Sequence, residues 1–555
     1  MLKKNLIYWD TTQYPIDYPK IVKEIYYNQN IKNRKYFTSW VGNLGKDFSN
    51  DIDWWSTAPV SRNPYASNLF HYICVIKTIE KLSKKFKKFE IVVNSFFLKS
   101  IILKNFNSNN IFVKINKQNS KLKKYSNIFK AIFFSTFLFF FINFFIKKKN
   151  LKKNSNKKVL IDTFTFGDMS EGERLYKIID EHLKRKKQDL VYFVPSFIPT
   201  KNFLEVIKAI FNLSKKNYVF KEHHLGFFDL IYAFGHIFRL KKFNIKLNNY
   251  GNIDLSNLVI QEIKDCKYYY STILSLLNYR FARSIKNQKI ELNKSIDWFE
   301  NQTVDKGWNF GFRKYFPNIK IIGYQGFLYY GQYFNTIPSK EEEKAKVIPK
   351  EVIVISKSFI KKKKEFFPKL KVKAGPVLSY SLCYLDKNFK KTYKIKVLLI
   401  LSGILSLDKK LLEWISYFFK KDKNINIFIK THPILPLEKI DKNFLVNYKK
   451  RISVSNKPLG DLLKKTYISI CSGPTSGTLE SISYDCFLVC PMLEPYDKIN
   501  LVANNIPKKN YKLVNSKEDF VNTVSDLAMK KKLSIKKKNI LLEKNSYNNI
   551  EDFLN

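Results

Sequence analysis

Acidic residues are scarce in this chain. Forty-seven Asp and Glu stand against 99 Lys and Arg over 555 residues, a formal charge of +52. Such an imbalance ordinarily signals a polyanionic partner. No helix-turn-helix pattern, zinc-finger spacing or RNA-binding signature accompanies it, so a nucleic acid is not expected. The excess is mostly Lys, dispersed through the chain together with Asn, Ile, Phe and Tyr, a joint bias that fits AT-rich codon drift. What the charge favours physically is an anionic lipid surface. Cysteine pairs are also missing: Cys74, Cys266, Cys383, Cys471, Cys486 and Cys490 are scattered and none forms a CxxC. Cys486 and Cys490 lie in or beside an apolar run and read as small core residues, and a reduced cytoplasmic setting is expected. The start, MLKKNLIYWD, lacks the apolar run of a signal peptide.

What is present is enough apolar residue, 45%, to exclude wholesale disorder, and enough length for two α/β domains. Strands are expected at Asn5–Trp9, Ile91–Asn94, Ile111–Ile115, Val159–Phe164 and Leu190–Pro195, with another strand or a strand-end loop at Thr38–Asn43. A helix is expected over Glu173–Leu183, after Gly167-Asp168, and residues 201–295 read as mainly helical. Asp51–Tyr65 (DIDWWSTAPVSRNPY) reads as an irregular aromatic loop, either a pocket wall or packing beneath a long loop. Ile296–Gly326 has the strand, helix, strand order of a right-handed parallel crossover. The charged stretch PSKEEEKAK, Pro338–Lys346, is the strongest boundary signal. Beyond it strands are expected at Val352–Ser356, Val372–Gly375, Lys396–Leu401, Ile425–Lys430 and Arg451–Ser455. Ile468–Pro491 then reads as strand, Gly/Ser/Thr loop, helix of about three turns and second strand. This alternation predicts a parallel sheet covered on both faces. The expected division is 1–338, a linker 339–346, 347–528, and a Lys-rich terminal helix or tail 529–555.

Ala131–Ile146 (AIFFSTFLFFFINFFI) is sixteen residues of which eight are Phe, with lysines on both sides. As a helix the run reaches roughly 24 Å, short of a hydrocarbon core of roughly 30 Å. A true span would also divide the strands before it from those after it, which is impossible if they share one sheet. Segment 128–146 is therefore expected to dip into one leaflet with its lysines at headgroup level, the other reading being a buried core helix.

In an open parallel sheet, ligands sit beyond the carboxyl ends of the strands. In the C-terminal half those positions hold Ser402-Gly403, Lys430-Thr431-His432 and Ser472–Thr478. They offer a glycine turn, a cation, an imidazole and a helix N-terminus, a set suited to a nucleotide diphosphate. Equally, Thr475 or Ser476 caps the helix, Gly473-Pro474 turns the chain, and a lone His at a strand end is often structural.

KTHP at Lys430–Pro433, followed by SGPTSGTLE at Ser472–Glu480, resembles the donor-binding half of GT-B glycosyltransferases, particularly those making bacterial capsule, O-antigen and other surface carbohydrates. The likeness covers about residues 395–500. IYWD, VLIDTF and WFENQTVDKGWNFGFRKYFP with IIGYQG resemble a surface carbohydrate biosynthesis group within that set. The short C-terminal motifs are also similar to those of CDP-glycerol phosphotransferases and GT-B-type sugar epimerases. The resemblance implies two Rossmann-like domains facing across a cleft, with the hydrophobic segment a membrane-associating insertion in the N-terminal one. It implies a nucleotide-sugar donor held by the C-terminal domain and a surface polysaccharide or lipid-linked oligosaccharide acceptor held by the N-terminal one. No cofactor or essential metal is implied. His432 and Ser476 or Thr478 would contact the donor phosphates and Glu480 the nucleotide or sugar hydroxyls. Ser402, Gly403, Lys430, Ser472, Thr475 and Gly477 complete the donor side. No DxD-like pair stands on a strand end; Asp51–Asp53 has the spelling but falls in the other half. A general base for the acceptor hydroxyl is sought at Glu300 first, then Asp10 and Asp162, each at or near the end of an apolar strand and each equally a cap or ion-pair partner. The expected setting is the cytoplasmic face of the membrane. Alternatives are a CDP-glycerol or ribitol-type polyol-phosphate transferase, or a non-catalytic membrane-peripheral carbohydrate-assembly protein.

Overall fold

The computed structural model describes residues 7–554 except 87, 107–109, 117–119, 152–156, 167–168, 171–175, 177–178, 180–189, 200–201, 244–248, 266–267, 329–332, 379–390, 433–434, 472–474, 494–509 and 531–549. Gly167-Asp168, most of Glu173–Leu183, Ser472, Cys266, Cys383 and most of the Lys-rich tail therefore lie outside the described residues. The chain forms two compact units. The first takes residues up to Gly326, Tyr333–Pro376 and the short helix Ile550–Leu554, and the second takes Phe327 and Leu328 and the chain from Val377 onward.

In the first unit, β1 (Ile7–Asp10), β2 (Phe89–Val93) and β3 (Ile111–Ile115) make a small parallel sheet. The larger sheet begins with β4 (Lys158–Phe166), β5 (Met169–Ser170) and β6 (Val191–Ile198). A two-residue hairpin, β7 (Asn249–Tyr250) and β8 (Ile253–Asp254), stands apart from it. The sheet continues with β9 (Leu292–Trp298), β10 (Lys320–Gln325), β11 (Glu351–Val354) and β12 (Val372–Ala374), in the order β12-β11-β10-β9-β4-β6. These six strands are parallel, and β5 pairs antiparallel at the end of β4. Numbered along the chain they run 2-1-3-4-5-6, so the winding reverses between β4 and β9. The expected crossover is present as β9, helix Thr303–Tyr315 and β10. That helix lies hard against helix Tyr269–Asn287, because a Cβ on Gly307 would fall 1.8 Å from the Ser275 carbonyl oxygen. Only glycine permits so close an approach.

Several expectations are corrected. Thr38–Asn43 lies inside helix Lys20–Leu44. Phe37, Trp40 and Val41 are buried at helical spacing, so the apolar period there is that of a helix. Asp51–Tyr65 is not irregular throughout; it contains the short helices Ile52–Trp55 and Ala58–Ser61. The boundary at Pro338–Lys346 is also overturned, since β11 and β12 continue the sheet of the first unit through β10. The charged stretch is a capped helix, Lys340–Lys344, that puts Glu342 into the core. Its carboxylate meets Arg62 Nη2 at 2.7 Å and Lys306 Nζ at 2.6 Å and accepts the Ser339 N–H.

The Phe-rich run lies within helix Ser120–Phe145, of which Lys124–Phe145 is long and apolar enough to cross a membrane. The strands on either side belong to different sheets, so a shared sheet does not argue against a span; they do belong to one compact unit. One stripe of the helix, Ala131, Phe134, Leu138 and Ile142, is buried. Phe134 packs on Tyr270, and a ring nitrogen of His223 meets the carbonyls of Ile142 and Ile146. The opposite stripe, Phe129, Phe133, Phe140 and Phe144, is exposed.

The second unit contains β13 (Ile395–Ile400), β14 (Ile427–Lys430), β15 (Ile452–Val454), β16 (Thr466–Cys471), β17 (Phe487–Pro491) and β18 (Tyr511–Val514). All are parallel, in the order β15-β14-β13-β16-β17-β18. Along the chain this reads 3-2-1-4-5-6, with the reversal between β13 and β16. Leu411, Ile415 and Phe418 of helix Leu405–Lys421 and Phe520 and Val524 of helix Lys517–Met529 close the core around Val397, Leu399 and Ile468. Both units are thus Rossmann-like α/β folds. Cys74, Cys471, Cys486 and Cys490 are buried thiols.

Burial alone would raise the Glu342 pKa, but the Arg62 and Lys306 charges more than reverse this and hold it at about 2. Its stabilising contribution is therefore complete above the unfolded value of about 4.3 and is lost as pH falls toward 2. Glu342→Ala, which leaves two buried cations uncompensated, is expected to cost about 3–5 kcal/mol at neutral pH in a denaturant titration.

Candidate functional site

A parallel sheet opens a crevice where its winding reverses, because neighbouring crossovers leave toward opposite faces. In the second unit this point lies beyond β13 and β16. Gly403, just past β13, has φ +81°, and a Cβ there would fall 2.6 Å from His432 Cγ, which follows β14. Glycine is needed both for the turn and for the approach of the imidazole. Asp408, in the first turn of the next helix, holds this turn by accepting Ser402 N–H and Oγ–H at 2.8 Å and Gly403 N–H at 2.9 Å. Burial raises the Asp408 pKa, and these bonds work against the rise. Ser402 Oγ also accepts the Ile404 N–H at 3.1 Å, so Ser402 shapes the turn.

Helix Ser476–Ser483 starts beyond β16 and is shorter than the three turns expected. Thr475 is its N-cap residue, yet its side chain makes no cap bond, and Oγ1 is buried without a partner among the described residues. Gly477 brings this N-terminus to the end of β13, where a Cβ would lie 3.0 Å from Ile400 Cγ2. Thr478 is fully buried and donates to the Thr475 carbonyl at 2.8 Å, which makes it part of the helix start. Glu480 is half-buried on the same helix, and Lys430 Nζ reaches the Asn456 carbonyl at 3.4 Å. Gly403, His432, Ser476 and Gly477 are thus at one end of one sheet, while Ser472 is outside the described residues.

The first unit has a crevice of its own. Beyond β4, β6 and β9, at the reversal, lies a cavity of about 410 Å³ whose walls include Phe164, Ile198, Trp298 and Glu300. The segment Asp51–Tyr65 supplies Thr57, Asn63 and Tyr65 to it. Of the three carboxylates considered as a base, Glu300 alone lines this cavity. Its oxygens accept Trp298 Nε1–H at 3.1 Å and Gln302 Nε2–H at 3.3 Å, and burial raises its pKa against those bonds. Asp305 accepts the Glu300 and Gln302 N–H groups, each at 2.9 Å, and so fixes the local chain. Asp162 is not at a strand end, since β4 continues to Phe166; it is fully buried beside β9 residue Asp297. Burial pushes Asp162 up to about 7, opposed by Lys221. Asp10 ends β1 in the other sheet and accepts Thr12 N–H at 2.9 Å and Thr12 Oγ1–H at 2.7 Å, the bonds of a turn.

Sequence reasoning passed over one group. Asp53 is a buried anion, meeting His236 Nδ1 at 2.8 Å, Arg239 Nε at 2.7 Å and Lys242 Nζ at 3.0 Å. Burial would raise its pKa, but the His236 and Arg239 bonds overcome that and hold it well below the usual carboxylate range. His236 lines the cavity and lies 183 residues along the chain from Asp53, so no local motif joins them. Among the described residues no group of three or more His, Cys, Asp or Glu is placed to hold a metal ion.

No protein-family model matches this sequence, and no curated protein matches it. Among solved structures the chain is similar to UDP-GlcNAc 2-epimerase from Neisseria meningitidis bound to UDP-GlcNAc (13% identity, TM-score 0.42, 72% of this chain and 99% of that one). It is also similar to S. aureus MnaA with UDP (10% identity, TM-score 0.42, 71% and 95%) and to Acinetobacter baumannii MurG (11% identity, TM-score 0.38, 72% and 99%).

Gly403→Ala is expected to cost about 1–2 kcal/mol from the left-handed backbone alone, and to displace His432. Denaturant melts and the imidazole NMR resonance of His432 would check both effects.

Proposed function

We propose that the chain is a glycosyltransferase of the GT-B type, moving a sugar from a nucleotide-sugar donor to a surface polysaccharide or lipid-linked oligosaccharide of the capsule or O-antigen kind. The observation that supports this most is the meeting of the Gly403 turn, His432 and the N-terminus of helix Ser476–Ser483 at the winding reversal of the second unit. Unpaired amides at a helix start, an imidazole and the nearby Lys430 suit the two phosphates of a nucleotide diphosphate leaving group. Backbone amides and basic side chains would carry the charge that a metal carries elsewhere, so the reaction is proposed to be metal-independent. The acceptor is assigned to the first unit.

Thermal unfolding of the full chain with UDP-, GDP- and CMP-sugars and CDP-polyols tests the donor site. At 100 times its dissociation constant the right donor adds about 2.7 kcal/mol to stability. His432→Ala is expected to abolish that gain while keeping the melting point of the free protein. A response to CDP-polyols alone would favour polyol-phosphate transfer, and no response to any nucleotide would overturn the reading.

The proposed setting is the cytoplasmic face of the membrane. The exposed stripe Phe129, Phe133, Phe140 and Phe144 continues through ring contacts of Phe137 with Phe203 and of Phe141 with Phe211, and exposed Lys147 and Lys148 flank it. Apolar rings edged by lysines suit the interface of an anionic bilayer. Replacing Phe133, Phe140 and Phe144 together by Ser is expected to abolish co-sedimentation with vesicles containing phosphatidylglycerol without changing the nucleotide response. Unchanged sedimentation would remove the membrane from the proposal.

A further inference from the structure

Two carboxyls stand side by side inside the large sheet of the first unit, on the strands between which its winding reverses. Ile161 of β4 and Ile296 of β9 face each other in register, so the next residues, Asp162 and Asp297, share one face at the spacing of neighbouring strands, about 4.8 Å. The same row continues to Val194 on one side and Gly323 on the other, neither of which brings a polar side chain. Both carboxyls are buried.

Hydrogen-bond donors are short here. Asn309 Nδ2–H donates to Asp297 Oδ2, while Asp297 Oδ1 and both Asp162 oxygens have no partner among the described residues. Asn309 Oδ1 and Asp305 Oδ1, on the helix that follows β9, are buried acceptors in the same condition. The cations around the group are committed elsewhere. Lys221 donates to Ser196 and Asn278, Lys306 to Asn301 and Glu342, Lys363 to Gln325 and the Thr336 carbonyl, and Arg62 is paired with Glu342. An ionised carboxylate that accepts nothing is costly in a dry interior, and two side by side repel. A protonated carboxyl supplies the missing donor.

The charges of this layer balance with one such proton. Asp162, Asp297, Asp305, Glu300 and Glu342 are set against Lys221, Lys306, Lys363 and Arg62, five acids against four bases. Lys363, pushed down to about 7 by burial, gives up its charge as pH rises and widens the excess. Asp305 stands at a helix start and accepts the Glu300 and Gln302 N–H groups, which favours its anion although burial opposes it. Asp297 has carboxyls on both sides. Burial pushes it well above the ordinary carboxylate range, and Asp305 and Asp162 push it further.

We propose that Asp162 and Asp297 share one proton at neutral pH, and that this acid–carboxylate pair is a pH-sensitive joint between β4 and β9. Asp297 Oδ1–H is donated to the Asp162 carboxylate while the joint is closed. Loss of the proton leaves two anions on neighbouring strands and loosens the pair that carries Phe164 and Trp298 to the cavity wall. The joint involves neither nucleotide nor sugar and stands apart from the glycosyltransferase reading. In the unfolded chain both carboxyls ionise near the ordinary value of about 3.9, so the folded pair holds one proton more. Stability is therefore full below that value and falls as pH rises toward the point at which the pair is deprotonated.

Infrared spectroscopy of the full chain and hydrogen exchange of its β4 and β9 peptides test the joint. At neutral pH the wild type is expected to show a carboxylic C=O band that Asp297→Asn diminishes. The difference between the two proteins is what is read, because Glu222 and Glu262 are buried carboxyls as well. Between about pH 5 and about pH 8 the opening constant of β4 and β9 is expected to rise about tenfold per pH unit in the wild type. That slope is expected to vanish in Asp297→Asn and in Asp162→Asn, each of which leaves a single carboxyl beside a neutral amide. A carboxylic band unchanged in both variants would overturn the shared proton and leave ordered water as the donor. A slope retained in both variants would overturn the joint. Failure of Asp297→Asn to fold would also overturn it, since Asn has the shape, the neutrality and the donor of the acid.

Discussion

The constraint on which both sites depend is the right-handed crossover. A chain that adds parallel strands through right-handed connections places every helix on one face as long as it moves in one direction. When it returns to the other side of its first strand, the helices change face and the strand ends between them stay uncovered. Each unit does this once, between β4 and β9 and between β13 and β16. The two sets of polar residues gathered there are separate in sequence and opposed in chemistry, one basic and amide-rich, the other acidic and aromatic.

The charge of the chain acquires a different meaning from this distribution. Some of the lysines are internal and already engaged. Lys221 donates to Ser196 and Asn278, Lys306 to Glu342 and Asn301, and Lys363 to Gln325. Burial pushes Lys363 down to about 7. These groups stabilise one arrangement of the core through satisfied bonds, and they are not available to a partner. The cavity of the first unit excludes cations among its described walls even though they are abundant elsewhere.

Much of the fold is legible because buried parallel strands are short apolar runs ending in small or polar residues; β4, β10, β13, β14 and β16 all show this, whereas β9, LNKSIDW, starts inside the stretch read as helical because four of its seven residues are polar. Thr38–Asn43 misled because TSWVGN, cut from its context, hides the helical spacing of Phe37, Trp40 and Val41. The glutamates of Lys340–Lys344 misled because composition does not reveal that Arg62 and Lys306, distant in sequence, converge on one of them. In the second unit the strand-end residues were readable as a group, since each comes directly after its own strand. The His236–Asp53 contact was not, because it joins two helical segments with no shared motif. Glu300 is legible from its position just after β9, whereas Asp162, expected at or near the end of a strand Val159–Phe164, lies inside a strand that runs on to Phe166.

The short helix Ile550–Leu554 belongs to the first unit: its three apolar side chains are buried, Phe553 packs on Tyr324, and the Phe553 carbonyl accepts the buried Lys294 ammonium at 2.9 Å. In topological terms the second unit is an insertion within the first. During synthesis the ribosome must make the whole of that insertion before Phe553 exists, so β9 waits without the carbonyl that accepts the Lys294 ammonium while the second unit is translated. A vectorially emerging chain can complete its second unit before its first, reversing the usual order in which nascent domains mature.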